Sequence, residues 1–403
     1  MPDPTQTLRF EKTIAAPVAH VYRAFTNATA LREWMCDVAT VDPKPGGRIY
    51  LAWVGDFYAS GAYEEVVKDE KIAFTWHGRG EPHPTRVEVL LAPRQAGVSV
   101  TLVHSGLGEA APWDQIAQAF RSNWESSLEN LASVLEKGPD LRLTRRPMMG
   151  IYLSDFDAQI AAHMGVPVEH GIRLDGVVEG MGAQAAGLQK EDVLIRMAGR
   201  ELKAYDDLQL VLMGQHAGDT IEVIYYRGAE KRSAAMTLSG RRIPEIPTGK
   251  AALAEAVKKS YAEANAELAA ALQGVSAEEA AQAPEPGEWS PAQVLAHLLH
   301  GERGTIAFVT EWLGCQERWS DDYGGNDLAP VQATFAAYGS VDALLQAIHT
   351  AQAELVALIE HLPDEAVAHK GSWWRLAYGL VESPSHIRTH AAQIQAAIQA
   401  ARK

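Results

Sequence analysis

His386 and His390 stand four residues apart in the run His386-Ile387-Arg388-Thr389-His390. On an α-helix that spacing places two imidazoles on one face, one turn apart. Two imidazoles so placed suit a single divalent metal ion, and a further ligand has to come from another helix. His297, in Ala296-His297-Leu298-Leu299-His300, lies in the middle of an apolar helical stretch. A buried polar group needs a partner, and a metal supplies one. His300 is a rival ligand close by on the same stretch. His349, His361 and His369 have neither the spacing nor the context. For acid–base work at such a site the candidates are Glu302 and His300.

The elements that must position these histidines are four long helices, expected at 250–272, 290–313, 340–361 and 384–401. Ser290-Pro291 opens the second with an N-cap followed by proline at the first helical position. Ser383-Pro384 is expected to repeat the device at the fourth. The long connections contain Trp319-Ser320-Asp321-Asp322-Tyr323-Gly324-Gly325 and Ser372-Trp373-Trp374. Long structured connections at one end of a bundle often cover a site.

The whole chain has 403 residues and a formal net charge of −15. At about 150 residues per domain, the length suggests two or three domains. From Ile246 to Lys403, 10 Lys/Arg face 19 Asp/Glu. No basic stripe exists for nucleic acid or an anionic membrane surface. Cys36 and Cys315 are the only cysteines, which excludes a disulfide framework and a CxxC motif. The first residues are polar and no long apolar run occurs, so neither a signal peptide nor a membrane span is expected. A cytoplasmic location is the default. Gly/Pro/Arg-rich breaks near residues 137–147 and 240–249 divide the chain into segments 1–138, 145–242 and 248–403.

The first segment alternates apolar and polar residues over Leu8–Ile14 and repeats strand-like runs separated by Gly/Pro/Asp turns. It closes with a long helix over 111–136. With Ile14-Ala15-Ala16-Pro17-Val18, Leu31-Arg32-Glu33-Trp34, Gly46-Gly47-Arg48 and Trp124-Glu125-Ser126-Ser127-Leu128, this segment resembles the START-like (SRPBCC) superfamily. The nearest branch is the one similar to the heat-shock-protein ATPase activator. The resemblance implies an α+β helix-grip fold, a curved sheet around a long helix, with a pocket for a small hydrophobic ligand. Its candidate lining is Trp34, Trp53, Tyr63, Trp76, Phe120 and Trp124. His77, His83 and His104 are candidates for acid–base work there.

The second segment carries Gly171-Ile172-Arg173-Leu174-Asp175-Gly176-Val177, Ala185-Ala186-Gly187-Leu188 and Asp192-Val193-Leu194-Ile195-Arg196. It resembles a mostly-β PDZ domain of the bacterial, protease-associated type. That resemblance implies capture of a peptide C-terminus by strand addition, with Met149, Gly150, Ile151, Tyr152 and Leu153 as the carboxylate loop. Glu191 stands where the family usually has glycine. No Gly-x-Ser-x-Gly elbow accompanies the segment, so no protease is expected.

The third segment, with Trp289-Ser290-Pro291-Ala292-Gln293-Val294-Leu295-Ala296-His297 and His386-x3-His390-x2-Gln393-Ile394, resembles the DinB-like all-α four-helix bundle. The resemblance implies a divalent-metal site made by His297, His386 and His390. Three neutral imidazoles leave coordination positions open, the pattern of a catalytic site. Zinc or nickel suits such ligands. Some DinB-like proteins are similar to thiol-dependent transferases, which adds a low-molecular-weight thiol as an implied cofactor. The multidomain reading is a metal-dependent hydrolase or thiol transferase, with the PDZ segment positioning its neighbours. The alternative is a non-enzymatic adaptor or stress-response binding protein that holds a ligand or client and a peptide tail.

Overall fold

The computed structural model describes residues 5–54, 56–213, 215–285, 288–315 and 327–402. They fall into two compact units, one made of residues 1–140 with 244–403, the other of residues 141–243.

The first segment runs β1 (Thr5–Ile14), α1 (Val18–Thr26), α2 (Ala28–Trp34), β2 (Val38–Val41), β3 (Arg48–Trp53), β4 (Phe57–Val67), β5 (Lys71–Gly78), β6 (Thr85–Arg94), β7 (Gly97–Gly108) and α3 (Trp113–Glu136). The seven strands form one sheet in the order β1-β7-β6-β5-β4-β3-β2. Every pairing is antiparallel, and β1 meets β7 with Leu8 opposite His104 and Ile14 opposite Val98. The alternation predicted for β1 puts Leu8, Phe10 and Ile14 inside. The gripped helix α3 buries Phe120, Trp124, Leu128 and Leu131, one stripe at helical spacing. Helix α2 and strand β2 were not anticipated. A seven-residue helix is too short to show periodicity; Asn27 starts it by accepting from the Ala30 N–H, and the core holds it through Leu31 and Trp34.

The second segment runs α4 (Leu141–Thr144), β8 (Pro147–Met148), β9 (Ile151–Ser154), α5 (Ala158–Met164), β10 (Ile172–Val177), α6 (Gly182–Ala185), β11 (Val193–Met197), β12 (Arg200–Glu201), α7 (Tyr205–Met213), β13 (Thr220–Arg227), β14 (Glu230–Thr237) and β15 (Ser239–Gly240). Its main sheet has the order β14-β13-β11-β10-β9, with β12 on β11, so β9 is an edge strand. Gly187 takes φ +79° after α6, the left-handed conformation expected of it.

The third segment runs α8 (Lys250–Ala271), α9 (Ala277–Ala281), α10 (Pro291–Leu313), α11 (Leu328–Tyr338), α12 (Val341–Glu360), α13 (Asp364–Ala368), α14 (Lys370–Glu382) and α15 (Ser385–Ala401). Helices α8, α12, α10 and α15 form the bundle, α8 and α10 each packing on α12 and α15. Ser290 caps α10 as predicted, in a reciprocal capping box with Gln293. The second expected cap is corrected. Ser383 has helical dihedrals at the end of α14 and Pro384 makes no side-chain cap, because α14 runs almost directly into α15. Ser372, Trp373 and Trp374 lie on α14, within the connection between α12 and α15. Residues 319–325 lie outside the described residues.

Helix α14 also packs on α2 and α3 of the first segment. Gly371 permits the approach, since a Cβ there would stand 2.3 Å from Val134 Cγ1. Lys370 Nζ donates to the Glu136 carbonyl at 2.6 Å. This direct packing sets the first segment against the third.

Candidate metal centre

His297 comes from α10, and His386 and His390 come from consecutive turns of α15. Their Nε2 atoms converge, His297 to His386 at 3.0 Å and His390 to His386 at 3.0 Å. All three candidate ligand atoms lie within 4.8 Å of one another. His390 Nδ1 donates to Gln393 Oε1 at 2.7 Å, which leaves its Nε2 lone pair facing the centre. Burial, then the neighbouring His390 and His297, push His386 down to about 4. Burial likewise lowers His390. His386 and His390 are therefore neutral at pH 7, the state in which imidazole binds metal. Nitrogens ~2.0–2.1 Å from one tetrahedral ion lie roughly 3.3 Å apart, close to the two 3.0 Å spacings from His386. The donor set fits a divalent ion. The ring of Trp289, whose centroid is 5.2 Å from that of His297, backs the site.

The two expected acid–base candidates are turned elsewhere. His300 Nε2 meets Thr334 Oγ1 at 2.8 Å and the Pro330 carbonyl at 3.2 Å. It therefore faces α11 and does not join the triad. Glu302 is buried. It accepts from the Tyr261 hydroxyl at 2.6 Å and from Gln352 Nε2 at 3.3 Å, and burial raises its pKa. Five residues beyond His297, it projects from another side of α10. His349 is exposed, His361 bonds the Ala357 carbonyl, and His369 packs on His20.

Sequence reasoning missed a set of glycines. Gly301 and Gly304 of α10 and Gly379 of α14 line a cavity beside the triad, with Thr305, Phe308, Leu380 and Ser383. Each lies inside a helix, where glycine costs about 1 kcal/mol relative to alanine. In helices otherwise rich in alanine and leucine, that was the available signal.

In the first segment the six aromatic residues separate into two groups. Trp76 lies 6.1 Å from Trp53, 6.0 Å from Phe120 and 5.9 Å from Trp124, centroid to centroid. Trp34 and Tyr63 instead bond backbone carbonyls of α1, at Ala24 and Phe25. His104 sits within the first group, fully buried. Its Nδ1 accepts from Trp124 Nε1 at 3.1 Å and its Nε2 meets Thr85 Oγ1 at 2.8 Å. Burial pushes it down to about 3, which unsuits it for proton transfer near neutrality. His77 bonds the Glu81 carbonyl and His83 lies against Trp113.

In the second segment Met149 is buried and Gly150 has φ +77°. A Cβ on Gly150 would stand 2.4 Å from that of Met181, so glycine is required there twice over. Ile151, Tyr152 and Leu153 belong to edge strand β9, with Tyr152 and Leu153 exposed. Glu191 adopts φ +72°. Its carboxylate is held by Arg173 Nη2 at 2.9 Å, which offsets the strain of a side chain in a glycine position.

Residues 15–136 match the family described as Activator of Hsp90 ATPase homolog 1-like protein. Residues 147–238 match the PDZ domain and residues 260–394 the DinB superfamily. The chain is a three-family fusion. Within the fusion, the DinB-like segment supports a metal-binding helical domain, and the other two support ligand and peptide binding in general. Curated relatives include the magnetosome formation protease MamE of Paramagnetospirillum magneticum, 30% identical over 94 residues, 23% of this chain and 13% of that one. Another is a probable periplasmic serine protease do/HhoA-like of Haemophilus influenzae, 24% identical over 179 residues, 44% of this chain and 35% of that one. The fusion thus spans about a third or less of the length of these two relatives. Among solved structures, protein CV1439 of Chromobacterium violaceum is 30% identical with TM-score 0.28, covering 35% of this chain and all of that one. The Aha1 dimer from Colwellia psychrerythraea is 18% identical with TM-score 0.30, covering 32% and 96%. Among the described residues no helix is long and apolar enough to cross a membrane.

Proposed function

We propose that the fusion is a cytoplasmic metal-dependent enzyme, a hydrolase or thiol-dependent transferase acting on a small electrophile at His297, His386 and His390. The observation that carries this reading is the convergence of three imidazole Nε2 atoms from two helices. A divalent ion, zinc or nickel, supplies there a Lewis acid that favours deprotonation of water or of a small thiol. The chain's own part is to hold the ligands. Gln393 orients His390, and the walls of α10 and α15 keep His386 and His390 neutral. The first segment is assigned a small hydrophobic ligand among Trp53, Trp76, Phe120 and Trp124, with Trp34 and Tyr63 as further candidate lining. The PDZ segment is assigned a peptide C-terminus at residues 149–153.

Elemental analysis of the tag-free protein tests the centre. The expected result is about one divalent ion per chain, lost in His297→Ala and in His390→Ala. Retention of a full equivalent by His390→Ala would sink the triad.

The exposed apolar residues Tyr152 and Leu153 on β9, and Leu210 and Met213 on α7, favour a second reading. There the chain is a non-enzymatic adaptor, with client and peptide tail held by the first two segments. A metal-free chain that binds C-terminal peptides would support it.

A further inference from the structure

His297, Gly301, Gly304, Thr305 and Phe308 fall at offsets of 4, 7, 8 and 11 along α10, all on one face of the helix. Beyond His297 this face borders an open groove of about 290 Å³, flanked on its other side by Gly379 and Leu380 of α14 and by Ser383 at its end. The cavity comes nearest the triad at Gly301. A Cβ built on Gly301 would touch the His386 ring, 3.5 Å from both Cε1 and Nδ1. The lining has no charged side chain, and the Thr305 hydroxyl is spent on the Gly301 carbonyl at 3.0 Å.

The fold itself does not require these glycines. None of the three has a positive φ. A Cβ on Gly304 or Gly379 would meet nothing within 4 Å, and one on Gly301 would make only ordinary contact. Alanine would therefore fit at each position and strengthen the helix. What larger side chains would take away is room in the groove, and at Gly301 room beside the His386 ring.

We propose that this groove is the substrate channel of the triad, and that Gly301, Gly304 and Gly379 set its specificity. It takes a slender, uncharged apolar body whose polar, metal-binding head reaches the open positions at His297, His386 and His390. The inference rests on the metal-centre reading and adds the class of molecule to it. From Gly301 to Phe308 the groove runs about 10 Å at 1.5 Å per residue, the length of a short acyl or alkyl chain. Its volume equals that of about ten water molecules at roughly 30 Å³ each.

The test uses the zinc-loaded full chain and two probes, acetohydroxamate and hexanohydroxamate, titrated calorimetrically. Both present the same metal-binding head, and the second adds four methylenes. With about fourfold per buried methylene as the upper expectation, the longer probe should bind at least tenfold tighter. In Gly304→Leu, and separately in Gly379→Leu, that gain should vanish. Acetohydroxamate affinity and zinc content should stay within twofold, and melting temperature should not fall. A tail gain that persists in both variants, or its absence in the parent protein, would overturn the groove while leaving the triad intact. A parent chain that takes up no zinc overturns the metal centre, and the groove proposal with it.

Discussion

Ser372 on α14 donates its hydroxyl to the buried carboxylate of Glu33 on α2, across 339 positions of sequence. Arg23 Nη1 stands 3.7 Å from the same carboxylate, with Glu33 only 4% exposed. A charge at that depth is tolerated because opposite charge and a donor meet it. Glu33→Ala should therefore destabilise the unit formed by the first and third segments by about 2–3 kcal/mol. The cost sits at the low end for a buried pair because Arg23, 22% exposed, regains water. Hydrogen exchange should show α14 and α2 losing protection together. Unchanged protection of α14 would mean that the contact does not hold the two segments.

Gln393 bears on the proposed metal centre rather than on the fold. Its side-chain oxygen takes the His390 Nδ1 proton, and groups in that position typically change metal affinity ten- to a hundredfold. Gln393→Ala should lower zinc affinity by about that factor in a chelator competition, with an unchanged unfolding midpoint for the zinc-free chain. Equal affinities would show that His390 keeps its tautomer without help.

His104 gives a pH prediction whose sign is fixed by burial. Its ordinary value of 6.5 falls to about 3 in the folded protein, so below pH 6.5 the unfolded chain binds the extra proton. The stability it contributes is complete above pH 6.5 and is lost progressively as pH falls towards 3. Between pH 7 and pH 5 the loss is roughly 2 kcal/mol. His104→Gln keeps an acceptor for Trp124 and a donor for Thr85 but does not titrate. Urea unfolding at the two pH values should show a drop smaller by about that amount in the variant. An equal drop in both proteins would place the proton elsewhere.

At Glu191 strain and pairing oppose each other. With φ +72°, glycine relieves the backbone while losing the Arg173 pair, and alanine loses the pair and keeps the strain. Glu191→Ala should be less stable than Glu191→Gly by about 1 kcal/mol, read from the thermal transition of the PDZ segment. The reverse order would show that the left-handed conformation costs nothing here.

Legibility followed periodicity. The four bundle helices, strand β1 and helix α3 all carry regular patterns, and each formed close to where it was expected. Short elements such as α2 and β2 escaped because about two turns or a few paired residues carry too little period. At the site, the four-residue spacing of His386 and His390 was readable from helix geometry alone. His300 and His297 were not separable that way, since they are three residues apart on the same helix. What separates them is that α15 packs beside His297, while α11 offers Thr334 and Pro330 to His300.

The order of three family segments, the acidic bundle and the identity of the histidines were determined by the amino-acid sequence alone, because local pattern and residue chemistry need no tertiary information. Tertiary structure decided which groups meet. It brought α14 to Glu33, turned Glu302 into a buried network with Tyr261 and Gln352, and opened a glycine-walled groove beside His386. These are contacts between residues far apart in the chain, and their distances are set by how helices pack rather than by any spacing along one of them.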